Sequence, residues 1–220
     1  RFYGGLIHSV YGGSNTKGNV REVAVAMLNQ QGTCSIDVDE AYGGGKSAPM
    51  DGEALLDMRC VPRVGKVFGG ARHADVNNNV TLNITNGTFN KVFGGNNEGG
   101  RIFGSITVNV EEIASACYPI IIGELYAGGN VAGYSVYGNY EKDSSGEWQP
   151  TEPGANDSPQ YDSPQLNLRS FTSIGNVYGG GYQAMVIGDP EININEIKGT
   201  YADTEHAAGT LDEVPYPKHE

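Results

Sequence analysis

The sequence predicts an all-β chain, a parallel β-helix or solenoid of about six coils with one long inserted loop. Three observations predict it. Glycine is abundant, at 33 of 220 residues, about twice average usage. An aromatic followed by two small residues recurs along the chain. Between these landmarks apolar and polar residues alternate, in the same phase from copy to copy. Composition alone leaves disorder open, because apolar content is low and net charge is −12. The spacing closes that option.

The landmark reads Val10-Tyr11-Gly12-Gly13, Ala41-Tyr42-Gly43-Gly44, Val67-Phe68-Gly69-Gly70, Val92-Phe93-Gly94-Gly95, Leu125-Tyr126-Ala127-Gly128 and Val177-Tyr178-Gly179-Gly180. Its aromatics are 31, 26, 25, 33 and 52 residues apart, a period near 25 with insertions. A fixed period in this range marks a stacked array. Four residues before each aromatic stand Ile7, Val38, Val64, Phe89, Ile122 and Ile174, all apolar. Turn formers follow them at Asp39, Gly65, Asn90, Gly123 and Gly175. Eight residues after the aromatic come Met50, Val76, Tyr134 and Val186, with Ile102 one place late.

Further on, inward triplets are expected at Val23, Val25 and Met27, at Ala54, Leu56 and Met58, and at Val80, Leu82 and Ile84. Ile106, Val108 and Val110 follow, and Ile192 and Ile194 hold the last two places of the final copy behind Pro190. Residues between them, such as Thr81, Asn83, Thr107 and Asn109, are polar, which is the period of a strand with one buried face. Coils of this size stack about 4.8 Å apart and share one core. The glycine pairs are expected to supply positive φ and close backbone approach at a corner.

Cys34 and Cys60 lie eight residues before their aromatics and Cys117 nine before, with Thr85 and Ser170 in the same place elsewhere. That implies a ladder of small side chains. Cys34 and Cys60 come within disulfide reach on adjacent coils. Flat in-register pairing strains such a bond, so buried free thiols are the expectation and a Cys34–Cys60 bond the alternative. No CxxC or Cys/His spacing points to zinc.

The repeat defines a solenoid domain over residues 1–197, interrupted by a loop at about 138–165 rich in Pro, Ser, Gly and acid. Residues 198–220 form a cap or linker. The opening Phe2-Tyr3-Gly4-Gly5 reads as part of an incomplete first coil, and the chain as a piece of a longer modular protein.

An acidic balance argues against nucleic acid, and the longest apolar run, around Ile120-Ile121-Ile122, is too short to span a bilayer. No motif for nucleophilic, metal or phosphate chemistry appears. No catalytic residue, metal ligand or cofactor is therefore expected. Lys46 and Arg72 both stand four residues after the aromatic, ahead of Asn97 and Asn130 in the same place, with His73 adjacent and Arg101 eight residues after Phe93. Such a basic stripe suits carboxylated or sulfated polysaccharide. In the loop, Trp148 with Tyr140 and Tyr161 offers an aromatic platform for a sugar ring or partner. The plainer readings are an ion-paired turn edge and a tryptophan that pins the loop. Asp51, Asp75, Arg72 and His73 are the acids and bases a polysaccharide lyase or glycoside hydrolase would need. Asp37, Asp39 and Glu40 offer too few oxygens for a firm Ca²⁺ site. Sequons at Asn79, Asn83 and Asn86 follow the strand alternation and need no glycan.

The run Gly175-Asn176-Val177-Tyr178-Gly179-Gly180-Gly181 through Ile192-Asn193-Ile194 resembles a repeat of large predicted surface proteins of gut Bacteroidetes. The resemblance covers residues 7–197 apart from the loop. It implies secretion, a right-handed β-helix within a longer chain, an extracellular or cell-surface location and an adhesin-like or glycan-facing role. It carries no catalytic residues. The expected function is thus a non-enzymatic surface module with polysaccharide or a host or cell-surface glycan as partner. An enzyme acting on acidic polysaccharide is the alternative.

Overall fold

A computed structural model of the chain describes residues 5–29, 35–113, 117–135, 140–142, 144, 148–150 and 163–194. Among these there are sixteen strands and no helix. They are β1 (Gly5–Tyr11), β2 (Ala24–Asn29), β3 (Ile36–Tyr42), β4 (Ala54–Arg59), β5 (Val61–Phe68), β6 (Val80–Ile84), β7 (Gly87–Phe93), β8 (Ile106–Glu111), β9 (Ile120–Tyr126), β10 (Tyr134–Ser135), β11 (Tyr140–Lys142), β12 (Trp148–Pro150), β13 (Gln165–Ser170), β14 (Ser173–Tyr178), β15 (Val186–Ile187) and β16 (Glu191–Ile194).

Twelve of them build two six-stranded parallel sheets, β1-β3-β5-β7-β9-β14 and β2-β4-β6-β8-β13-β16. The chain visits the two sheets in turn, so each repeat pairs with the repeats before and after it. In the first sheet Ile7, Val38, Val64, Phe89, Ile122 and Ile174 stand in register. In the second, Leu56, Leu82, Val108, Leu166 and Ile192 do the same. Side chains of both sheets join one core, in which Leu56, Met58, Leu82, Ile84 and Phe89 are buried. The intervening side chains of β6 and β8 are only half-buried, as period-two alternation requires.

Asn residues at matching places form a chain of amide bonds along the second sheet, half-buried except at Asn193, which is buried while Ile192 and Ile194 of the last strand are exposed. Asn109 donates to Asn83, Asn167 to Asn109 and Asn193 to Asn167, at 2.9, 2.9 and 3.0 Å. The positions eight after the aromatic also pair. Met50 bridges Val76, Val76 bridges Ile102, and β10 pairs with β15.

Several expectations need correction. In the first repeat Ala24, Ala26 and Leu28, not Val23, Val25 and Met27, stand opposite Ala54, Leu56 and Met58. Residues 23–28 are apolar at every position, so the alternation carries no phase, and a one-residue slip exchanges the two faces. The insertion is not one plain loop, since β11 and β12 pair as an antiparallel hairpin and β13 already begins at Gln165. The opening residues 1–4, most of the insertion, the boundary at 197 and the segment 198–220 lie outside the described residues, as does Cys34.

The repeat glycines do not use positive φ. That conformation occurs at Gly5, Gly18, Gly87, Gly100 and Gly188, none of them in a repeat pair. What the pairs supply is proximity. A Cβ on Gly69 would strike the Gly94 carbonyl and lie 2.8 Å from a Val80 methyl, and one on Gly94 would strike the Ala127 carbonyl. The main-chain ladder runs straight through these corners, with Gly43 N–H donating to Phe68 O, Gly69 to Phe93 and Gly94 to Tyr126.

Free thiols give way to a disulfide between Cys60 and Cys117, with a Cα–Cα distance of 5.3 Å. In register, Val61 pairs with Gly87 and Gly87 with Ile120, so Cys60 shares its ladder place with Asn86 and Pro119. Cys117 sits two residues earlier, in the connection between β8 and β9, which is longer than those before β5 and β7. Counting back from the aromatics does not show this, because β5 shifts register between Val61 and Val64, so the residue eight before Phe68 aligns with those seven before Phe93 and Tyr126. Cys60 adopts φ 51°, a left-handed conformation uncommon outside glycine.

Candidate functional site

The most regular feature outside the core is a stack of rings. Tyr11, Tyr42, Phe68, Phe93, Tyr126 and Tyr178 lie face to face with centroids 4.8, 4.8, 4.9, 5.0 and 4.7 Å apart and planes within 10° of parallel. The spacing is that of neighbouring strands, so each ring is positioned by its strand end. The buried rings form a cluster of their own beside the main core. The glycine pair carries the chain past each ring, and the fourth residue beyond comes to lie along the stack.

Main-chain bonds put those fourth residues in register. Lys46 donates to Ser14, Arg72 to Gly45, Asn97 to Ala71, Asn130 to Asn96 and Tyr182 to Gly129. The expected alignment of Lys46, Arg72, Asn97 and Asn130 therefore holds. Their chemistry differs. Buried Asn97 donates to the Tyr42 hydroxyl at 2.7 Å and accepts from Asn130 at 2.8 Å. Tyr42 in turn donates to Glu40 Oε2 at 2.8 Å. Burial and then this bond push the Tyr42 phenol well above its ordinary range. Tyr126 is pushed up to about 12 by burial and by its bond to Glu124.

Arg72 donates through Nε and Nη2 to Glu98 Oε1 at 3.0 and 2.9 Å. Glu98, then Tyr11, raise the guanidinium's pKa further. His73 Nδ1 lies 3.9 Å from the other Glu98 oxygen. Glu98 thus neutralises the middle of the basic stripe. It stands one repeat beyond His73, so the ladder arithmetic that aligns Lys46 with Arg72 also contains this partner. Lys46 is half-buried and has no ion pair among the described residues. Arg101 is exposed, and its main-chain N–H donates to Asp75 Oδ1 at 2.7 Å. Its guanidinium has no partner among the described residues. Of this stripe, Lys46 and Arg101 are the cations without an acid partner among the described residues.

Tyr140 and Trp148 lie on opposite strands of the hairpin but not opposite each other, for Tyr140 pairs with Pro150 and Trp148 with Lys142. Tyr161 lies outside the described residues. Nothing among the described residues brings the loop aromatics and the basic turn together.

The acids named for catalysis serve as brackets between repeats. Asp51 accepts from Asn19 and Asn77, both at 2.8 Å, and Asp75 caps Arg101. Of the Ca²⁺ candidates, Asp37 binds Arg63, Asp39 binds His8, and Glu40 binds Tyr42 and lies 3.6 Å from Lys66. Among the described residues no group of three or more His, Cys, Asp or Glu could hold a metal ion. Of the sequons, Asn86 is buried and donates to the Ile113 and Tyr118 carbonyls at 3.1 Å, while Asn83 is part of the amide chain.

Fold and turn together define an all-β protein of parallel sheets with a ring-stacked, partly basic edge. No family model matches the chain, and neither a curated protein nor a solved structure matches it significantly.

Proposed function

We propose that the chain is a right-handed parallel β-helix of six coils, part of a longer extracellular or cell-surface protein. It acts there as a structural, adhesin-like module that binds acidic glycans without cleaving them. One observation carries the reading. The register runs through six repeats in both sheets and through the stack of rings, which suits a stiff, repetitive surface better than a catalytic cleft. The Cys60–Cys117 bond supports an oxidising compartment, where disulfides persist. Glycan binding draws on Lys46 and Arg101, cations without acid partners among the described residues in a chain of net charge −12. The carboxylates that a lyase or hydrolase would need are engaged in hydrogen bonds between repeats.

The test is retention on immobilised acidic polysaccharides, with the polymer analysed afterwards. The expected result is retention at low salt that added salt weakens, with polymer length unchanged. New reducing ends or unsaturated sugars would make the chain an enzyme. Failure to be retained on any charged polysaccharide would remove the binding role.

A further inference from the structure

The ladder eight residues after the aromatics is interrupted at one junction. Met50, Val76 and Ile102 are bridged in succession, and Tyr134 is bridged to Val186. Between Ile102 and Tyr134 no bridge forms, although β7 pairs with β9 in the first sheet and β8 with β13 in the second across the same junction. The fourth repeat carries one extra residue here, since Ile102 stands nine places after Phe93 rather than eight. Gly100, at φ 82°, absorbs it. The two chain segments part, and a crevice of about 320 Å³ opens between Gly100–Ile102 on one side and Gly133–Ser135 on the other, with Met185 at its edge.

The crevice has hydrogen-bonding groups to offer. Val76 N–H and C=O bond to Arg101 O and Phe103 N. In a parallel ladder the N–H and C=O of Ile102 itself then point the opposite way, toward the gap. Among the described residues no main-chain bond joins Ile102 to Gly133 or Ser135. Arg101 brings a guanidinium that no acid among the described residues engages. Met185 is 68% exposed and gives an apolar wall, while Tyr134, 3% exposed, closes the floor and donates to the Gly104 carbonyl at 2.9 Å.

We infer that this crevice is a subsite for one hexuronate residue of an acidic polysaccharide, its carboxylate held by Arg101. The inference rests on the glycan-binding reading above and names its ligand class. The planar guanidinium fork matches a carboxylate. A volume of this size is at the small end of ligand sites, room for a single ring. Sugar hydroxyls both donate and accept, as the N–H and C=O of Ile102, without a bond among the described residues, require. An extended acidic peptide needs a row of such groups, and the gap supplies those of one residue pair.

Calorimetric titration with a galacturonate trimer tests it, using the wild-type protein, Arg101→Gln and Lys17→Gln, an exposed lysine in the first repeat. The Asp75 bond uses the Arg101 main chain, so Arg101→Gln is expected to keep the wild-type melting temperature. Arg101→Gln should weaken binding at least about tenfold, as should methyl esterification of the trimer, and Lys17→Gln should leave it unchanged. Equal affinity of Arg101→Gln and wild type would overturn the subsite while leaving binding elsewhere on the module intact. Tri-aspartate binding more tightly than the trimer would also overturn it. Loss of the whole glycan reading has a different signature, no retention of the wild type on any charged polysaccharide.

Discussion

Cys60 and Cys117 are joined across a strand that lies between them. The bond links the entry of β5 to the entry of β9, while β7 runs between the two. It ties residues 57 apart in sequence. Breaking it as Cys60→Ser with Cys117→Ser should cost about 2–4 kcal/mol. Urea denaturation of wild type and variant checks this, and coincident midpoints would contradict it.

Asn86 holds the corner that the disulfide spans. Its buried amide donates to the carbonyls of both Ile113 and Tyr118. Asn86→Ala leaves two carbonyls without that donor and should cost about 1–3 kcal/mol. Because amide and disulfide brace the same corner, the two losses should not add. A double-mutant cycle showing strict additivity would separate them.

The glycine pairs separate close approach from backbone freedom. Gly69→Ala places a methyl against the Gly94 carbonyl and the Val80 side chain and should cost about 1–3 kcal/mol. Gly180 is the contrasting site, where an added methyl would meet nothing within 4 Å, and Gly180→Ala should be close to neutral. Thermal unfolding compares them. Similar melting temperatures for both variants would contradict the close-approach role.

Buried phenols give the fold an alkaline limit. Tyr126, raised to about 12, keeps its proton in the folded chain after an unfolded tyrosine has lost it. The folded state then binds more protons, so stability falls as pH rises from about 10 toward 12 and is fully present below that window. Tyr126→Phe removes one such group and should flatten the decline. Urea midpoints between about pH 9 and 11.5 measure it, and an unchanged slope in the variant would count against it.

Much of the fold is legible in the chain because stacked repeats translate register directly into sequence spacing. The aromatic at each strand end and the apolar residue four before it fall where counting puts them, and so do the bridge residues Met50, Val76, Tyr134 and Val186 eight after it. Counting fails where phase or length is lost. Residues 23–28 lack polar punctuation, so spacing alone places β2 one residue out of register with β4. A register shift in β5 and the longer connection before β9 together hide the partner of Cys60. Of the candidate site, the alignment of Lys46 with Arg72 is readable. The place of Glu98, one repeat beyond His73, is readable by the same count, but its bond to Arg72 is not, because that depends on a side chain reaching across between repeats. The crevice beside Arg101 leaves one trace, Ile102 standing a place late. What that extra residue does to the ladder depends on the three-dimensional path at Gly100.

Each repeat is one rung of a ladder that runs through both sheets. Methyl–methyl nuclear Overhauser contacts in a selectively labelled sample test it most directly. Contacts are expected from Leu56 to Leu82, from Leu82 to Val108 and from Val108 to Leu166, in that order. Leu56 and Val108, two strand spacings or about 9.6 Å apart, should show none. A direct Leu56–Val108 contact, or none between Val108 and Leu166 across the insertion, would contradict it.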